Sequence, residues 1–195
     1  MDNKPDYDQL YNIAENQAGY FTASQARGVG FSWDRLSKNV KSGRFTRAAH
    51  GVYRLTHFPY TPYQDLFVAW LRTGPDSVIS HDSALSVYDI TDVLPHEIHI
   101  IIPRTASRRR KGIRLHTNQL EAGDIINREG LPITTIARSL ADVSAAGLAA
   151  EQVKLGIRQA IQKGLVTMKM LWDYAERRGG RFKKLLVEFQ KEDEG

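Results

Sequence analysis

The chain has 195 residues, 42% hydrophobic and 25% charged, enough apolar content to bury a core in one large domain or two small ones. It has no Cys, which excludes a disulfide framework and thiolate zinc sites and suits a reducing cytoplasm. Net charge is +5, no apolar run approaches the roughly 20 residues of a membrane helix, and the start, MDNKPDYDQL, is too polar for a signal peptide; a cytoplasmic protein with no membrane segment is expected.

In chain order, DYDQLYNIAENQ places Leu10, Ile13 and Ala14 at helical spacing with Tyr11 beside them, and Gly19 ends that helix. Tyr20 and Phe21 form a short extended piece. Thr22 then caps a short second helix, TASQARG, which closes at Gly28. Ser32 caps a third helix that runs to Gly43. At about 100° per residue, Leu36, Val40 and Gly43 share one side, with Asn39 and Trp33 flanking, and Asp34, Ser37, Lys38 and Lys41 lie opposite. In RFTRAAHGVYRL, Phe45, Val52 and Leu55 can face a core, and Ala48-Ala49-His50-Gly51 reads as a turn. Three helices and a hairpin make a winged helix-turn-helix, in which the third helix enters the major groove and the hairpin lies along the backbone.

The charge is local. Residues 27–54 hold Arg27, Arg35, Lys38, Lys41, Arg44, Arg47 and Arg54 against Asp34, a net +6, so the rest of the chain sums to −1. That is an electrostatic footprint for phosphate, and a solvated face with no partner is its bland alternative. A helix fits the major groove, where base edges carry a distinct donor and acceptor pattern, whereas basic hairpin residues set register without reading sequence. Asp34, Ser37 and Lys38 are therefore the candidate base-side residues. Lys41, Arg44, Arg47 and Arg54 are the candidate phosphate contacts. Ser32, Trp33 and Arg35 complete the candidate DNA-facing set, although Trp33, at the edge of the packed face, reads first as a core or rim residue.

The order Gly19-Tyr20-Phe21-Thr22, Ala26, Leu36, Gly43 and Gly51-Val52-Tyr53-Arg54-Leu55 resembles the N-terminal domain of AbiEi-type antitoxins of type IV toxin–antitoxin systems. The resemblance implies a DNA-binding helix over residues 32–41 and a wing over residues 44–54.

HFPYTP, residues 57–62, reads as a linker, so the expected domains are residues 1–57 and 62–195. YQDLFVAWLRTG is an apolar helix ending at Gly74. SVIS is a short strand, and Ser80 is expected to cap the helix SHDSALSVYDI. EIHIIIP and IRLHTN are strands, and INREGLPIT is a hairpin turning at Gly130. TIARSLADV is a helix with Ile136, Leu140 and Val143 on its apolar side and Arg138 and Asp142 as an outward i,i+4 pair. AEQVKLGIRQAIQKG, MKMLWDYAERRGG (capped by Thr167) and RFKKLLVEFQ follow as helices before the acidic tail KEDEG. The expected class is α+β: a winged helix-turn-helix, then a mixed α/β domain with a small sheet and several C-terminal helices.

The order of these second-half segments resembles the C-terminal part of the same family. The resemblance implies an antitoxin that represses its own operon. It would bind double-stranded operator DNA as a monomer in solution, with cooperativity possible on DNA. It would counter a nucleotidyltransferase-like toxin without a stable complex.

Residues 103–114, PRTASRRRKGIR, form a second basic cluster with Arg104, Arg108, Arg109, Arg110, Lys111 and Arg114 and no acidic residue. It reads as a solvated loop or as a second nucleic-acid contact that adds affinity but not sequence reading. Arg177, Arg178, Arg181, Lys183 and Lys184 form a third, at a helix junction where cations suit the helix dipole.

No enzyme signature emerges, and neither cofactor nor metal is expected. His96 and His99 are three apart and point to opposite faces if EIHIIIP is extended. His81-Asp82-Ser83 has triad residue types but reads as a helix N-terminus. GVG at residues 28–30 lacks any phosphate-loop or dinucleotide fingerprint. The rival readings are an accessory module binding RNA or an acidic protein, and a subunit of a DNA-processing system whose catalytic part lies on another chain.

Overall fold

In a computed structural model, the structure describes residues 4–90, 96–104 and 110–193. The chain is mixed α and β and divides into two compact units. The first comprises residues 1–77 with 129–131, and the second residues 78–128 with 132–195.

The first unit begins with α1 (Tyr7–Glu15), whose N-cap Asp6 accepts from Gln9 N–H at 2.9 Å. Next come β1 (Tyr20–Thr22) and α2 (Ala23–Gly28). Thr22 and Gln25 form a full capping box at the start of α2: Gln25 N–H donates to Thr22 Oγ1 and Thr22 N–H donates to Gln25 Oε1. Then follow α3 (Trp33–Lys41), β2 (Phe45–Ala49) and β3 (Val52–Leu55). The sheet order is β1-β3-β2, antiparallel throughout, and Gly51 turns the β2–β3 hairpin at φ 73°. This is the winged helix-turn-helix expected from the sequence.

Leu10, Ala14, Phe21, Ala23, Ala26, Phe31, Leu36, Phe45 and Tyr53 form the core under the three helices. Phe21 and Phe45 meet edge to face at 5.0 Å, and Phe31 lies 5.9 Å from Phe45. Each such Phe contributes about 1.5–3 kcal/mol by burial. Phe45 therefore roots the wing in the same core that holds α3. The expected boundary at residues 57–62 falls inside this unit, because α4 (Gln64–Thr73) packs on β1 and its buried Phe67 stacks on Tyr20 at 6.0 Å.

The second unit contains β4 (Val78–Ile79), α5 (His81–Val87), β5 (Ile98–Ile101) and β6 (Ile113–His116). A 3-10 turn at Ala122–Asp124 leads into β7 (Ile125–Arg128) and β8 (Leu131–Thr134). The sheet order is β6-β5-β4-β8-β7, with β4 antiparallel to β5 and parallel to β8, and β5 parallel to β6. Four helices follow: α6 (Ile136–Ala145), α7 (Ala150–Gln162), α8 (Met168–Arg178) and α9 (Gly180–Asp193). The last runs into the acidic tail, which the sequence places outside the helix.

The α6 helix is wrapped by α5, α7, α8 and α9 and is buried nearly all round. The expected outward pair is therefore corrected. Arg138 and Asp142 are both buried, at 2.9 Å from Nε to Oδ2. Arg138 Nη1 also donates to Asp124 Oδ2 (2.8 Å) and to the Gln119 carbonyl (3.0 Å), and Arg178 reaches the same Asp124 oxygen at 2.9 Å. A wrapped helix has no outward side, so its polar positions must find partners inside.

Candidate nucleic-acid interface

On α3 the buried side is Leu36 and Asn39, and the exposed side carries Trp33, Asp34, Arg35, Ser37, Lys38 and Lys41. Ser32 Oγ accepts from Arg35 N–H at 3.3 Å and caps the helix. Asn39 orients α3 against α1: its Nδ2 donates to the Arg35 carbonyl at 2.8 Å, and its Oδ1 accepts from Tyr7 Oη at 3.3 Å. Asp34 and Lys38 pair at 2.8 Å, and the Lys38 hydrogen bond holds the Asp34 carboxyl below the usual carboxylate range.

Tyr7, Arg35, Lys38, Asn39, Ser42 and Arg44 line a concavity of about 290 Å³ beside α3. Three cations around one recess suit a phosphate group. On the wing, Arg44 and Arg47 are exposed, and a bulge between Arg47 and Ala49 turns the strand. Arg47 Nη2 lies 3.3 Å from His50 Nδ1. The exposed α3 face and the start of β2 thus present Arg35, Lys38, Lys41, Arg44 and Arg47 on one small unit.

Two expected residues sit differently. Arg54 is partly buried; its Nη2 donates to the carbonyls of Phe58 and Pro59 at 2.7 and 2.8 Å, and its guanidinium lies 5.5 Å from the Tyr20 ring centroid. Through that nitrogen it fastens the segment after the wing. Trp33 is 59% exposed, neither core nor rim, with the Arg27 guanidinium 5.6 Å from its ring centroid. An exposed Trp with a cation over its face can stack on a base or a sugar.

Of the second basic cluster, Arg104, Lys111 and Arg114 are exposed, and Arg110 is partly buried and bridges to Ile113. Arg108 and Arg109 lie outside the described residues. The third cluster is mostly engaged internally. Arg178 binds Asp124, Arg181 donates to the Ser144 and Leu148 carbonyls at 3.0 Å each, and Lys183 pairs with Glu176 at 3.4 Å.

The second unit also holds a cluster that the sequence reading missed. His96 is exposed and lies ahead of β5, whereas His99 is buried within it. The neighbours of His99 come instead from α5 and β6. The His81 and His116 rings stack at 3.7 Å and 17°, and His99 lies 5.4 and 5.1 Å from them. Parallel pairing of β5 and β6 matches His99 with Arg114 and Ile101 with His116, so His99 and His116 share a face. Ser80 makes no helix-capping bond; its Oγ lies 3.0 Å from His81 Nδ1. Burial lowers the His81 pKa to about 3 and the His116 pKa to about 4, and lowers that of His99. The available signal was weak: each His lies in or beside a short strand, but their adjacency depends on strand register.

Residues 8–56 match the family model described as transcriptional regulator, AbiEi antitoxin. The match falls on the winged helix-turn-helix and agrees with the motif order from Gly19 to Leu55. The crystal structure of the RV2827C protein from Mycobacterium tuberculosis resembles the chain with a TM-score of 0.55 at 15% identity, covering 92% of this chain and 75% of that one. At that identity the likeness concerns the fold alone. No curated protein matches the sequence significantly.

Proposed function

We propose that this chain, whose residues 8–56 match the family model of an AbiEi antitoxin transcriptional regulator, binds the operator of its own operon and represses it. The single observation that carries the reading is the exposed α3 face continued onto the wing, with five cations beside one acidic residue, Asp34. Winged helices place such a face in the major groove and the wing on phosphate. Arg35, Lys41, Arg44 and Arg47 hold the backbone; Ser37 and Lys38 reach base edges; Trp33 packs on the groove wall. Specificity comes from the few base-edge contacts and affinity from the phosphates.

The second unit counters the cognate toxin, a nucleotidyltransferase-like enzyme, in the type IV manner and without a lasting complex. No catalysis by the chain is needed for either role. Among the described residues, no helix is long and apolar enough to cross a membrane.

A reporter placed behind the DNA upstream of the chain's own gene tests this. The full chain lowers reporter output, and the chain carrying Arg44→Ala and Arg47→Ala does not. Equal output with both chains removes the repressor reading. Toxin rescue by residues 1–77 alone would remove the second unit from neutralisation.

A further inference from the structure

The geometry points to a binding site for one divalent transition-metal ion of the zinc class in the second unit, held by His81, His99 and His116. One ring nitrogen from each of the three lies within 4.8 Å of the others. Nitrogens sharing one tetrahedral zinc at about 2.0–2.1 Å sit about 3.4 Å apart, so ring rotations and a modest closing of the cluster complete the set. This site does not rest on the DNA-binding reading.

Four features distinguish the cluster from ordinary core histidines. First, polar atoms are left without partners: His99 Nδ1, His116 Nε2 and Asp82 Oδ1 are buried and make no hydrogen bond. Native interiors rarely leave such atoms unsatisfied, and an ion would satisfy them. Second, the backbone is held where the ligands need it. Ser80 N–H donates to the His99 carbonyl at 3.0 Å, and His99 N–H donates to Ser83 Oγ at 2.9 Å, which ties β5 to the start of α5. On the other side, Ile102 N–H donates to the His116 carbonyl at 2.8 Å.

Third, His81 sits at φ 51°, a left-handed backbone that a residue with a Cβ adopts at a cost. That conformation is found where the strand β4 hands over to α5, at the residue whose ring enters the cluster. Fourth, an outer shell is in place. Ser80 Oγ can accept from His81 Nδ1–H, which leaves Nε2 of that ring free to ligate. Asp82 Oδ2 lies 4.0 Å from His99 Nδ1, close enough to take the fourth position on an ion bound there.

Three imidazoles with no thiolate suit zinc, cobalt, nickel or copper rather than calcium or magnesium, which take oxygen ligands. The fourth position is for water or Asp82. The site is the imidazole-based kind that a cysteine-free chain can build.

The experiment uses the untagged full chain, stripped with chelator and titrated with zinc against a chromophoric competitor, with cobalt as a spectroscopic probe. The expected result is one ion per chain and visible cobalt bands of tetrahedral intensity. His99→Gln and His116→Gln should each weaken zinc binding by more than the ~10–100-fold that loss of an outer partner costs. His96→Gln, at an exposed position, leaves it unchanged. If a cluster variant fails to fold, the wild-type cobalt spectrum and the zinc-induced rise in melting temperature still decide. No cobalt bands and no stoichiometric zinc in the wild type overturn the site. So does binding that His99→Gln and His116→Gln leave intact, or that His96→Gln abolishes equally.

Discussion

Asp34 and Lys38 pair at 2.8 Å across one turn of the exposed α3 face, with side chains 71% and 73% open to solvent. Asp34 is the one acidic residue in residues 27–54, and its lowered pKa keeps it ionised near neutral pH. In a groove it faces phosphate with the wrong sign unless it accepts from a cytosine amino group. Asp34→Asn should therefore tighten binding to every duplex, operator and scrambled alike. If operator affinity falls while scrambled affinity rises, Asp34 reads a base.

On the proposed reading, Arg44 and Arg47 supply charge without base reading. Replacing each by Ala should weaken binding to all DNA and flatten the salt dependence by about 0.9 in log–log slope per lost phosphate contact. Fluorescence anisotropy across a salt series measures this. An unchanged slope takes the wing off the backbone.

Ser37 and Lys38 should behave differently. Each Ala variant should cost on the order of 1–3 kcal/mol at particular base pairs and little elsewhere, read from a panel of operator substitutions. A uniform loss across the panel assigns the helix to the backbone.

Arg138 is buried between Asp124 and Asp142, so Arg138→Ala leaves two buried carboxylates short of their partner. Breaking a buried pair from one side costs roughly 3–5 kcal/mol. Urea unfolding should show that loss in the second unit. A change below ~1 kcal/mol would show that Arg178, which also holds Asp124, suffices.

Acid should weaken the metal-free second unit. Its folded form holds His81 near pKa 3 and His116 near 4, against 6.5 ordinarily, because burial disfavours the charged ring. Arg114 adds to the lowering at both, and Arg138 at His81, whereas Asp82 works against it at His99. Between those limits the unfolded chain binds more protons, so the stability is complete above about pH 6.5 and falls as pH drops toward 3–4. Denaturation midpoints in chelator at descending pH should follow that window. A constant midpoint from pH 7 to 4.5 contradicts the buried neutral rings.

The winged helix was legible because its signals are local. Thr22 and Ser32 announce helix starts, Gly51 a hairpin, and the spacing of Leu36 and Val40 a packed face. What escaped depends on tertiary context. Nothing in TIARSLADV says that four helices will wrap it, so Arg138 and Asp142 read as surface. Nothing near Arg54 says that the Phe58 and Pro59 carbonyls will fold back to it. The three histidines meet through the register of β5 with β6 and the turn from β4 into α5, and local spacing records neither.

The most direct measurement is binding of the full chain to its own upstream DNA against a scrambled duplex at two salt concentrations. The account predicts a preference for the native sequence that survives the higher salt and weakens with Ser37→Ala. Equal binding to both duplexes, lost together as salt rises, would contradict it and leave a basic surface without an operator.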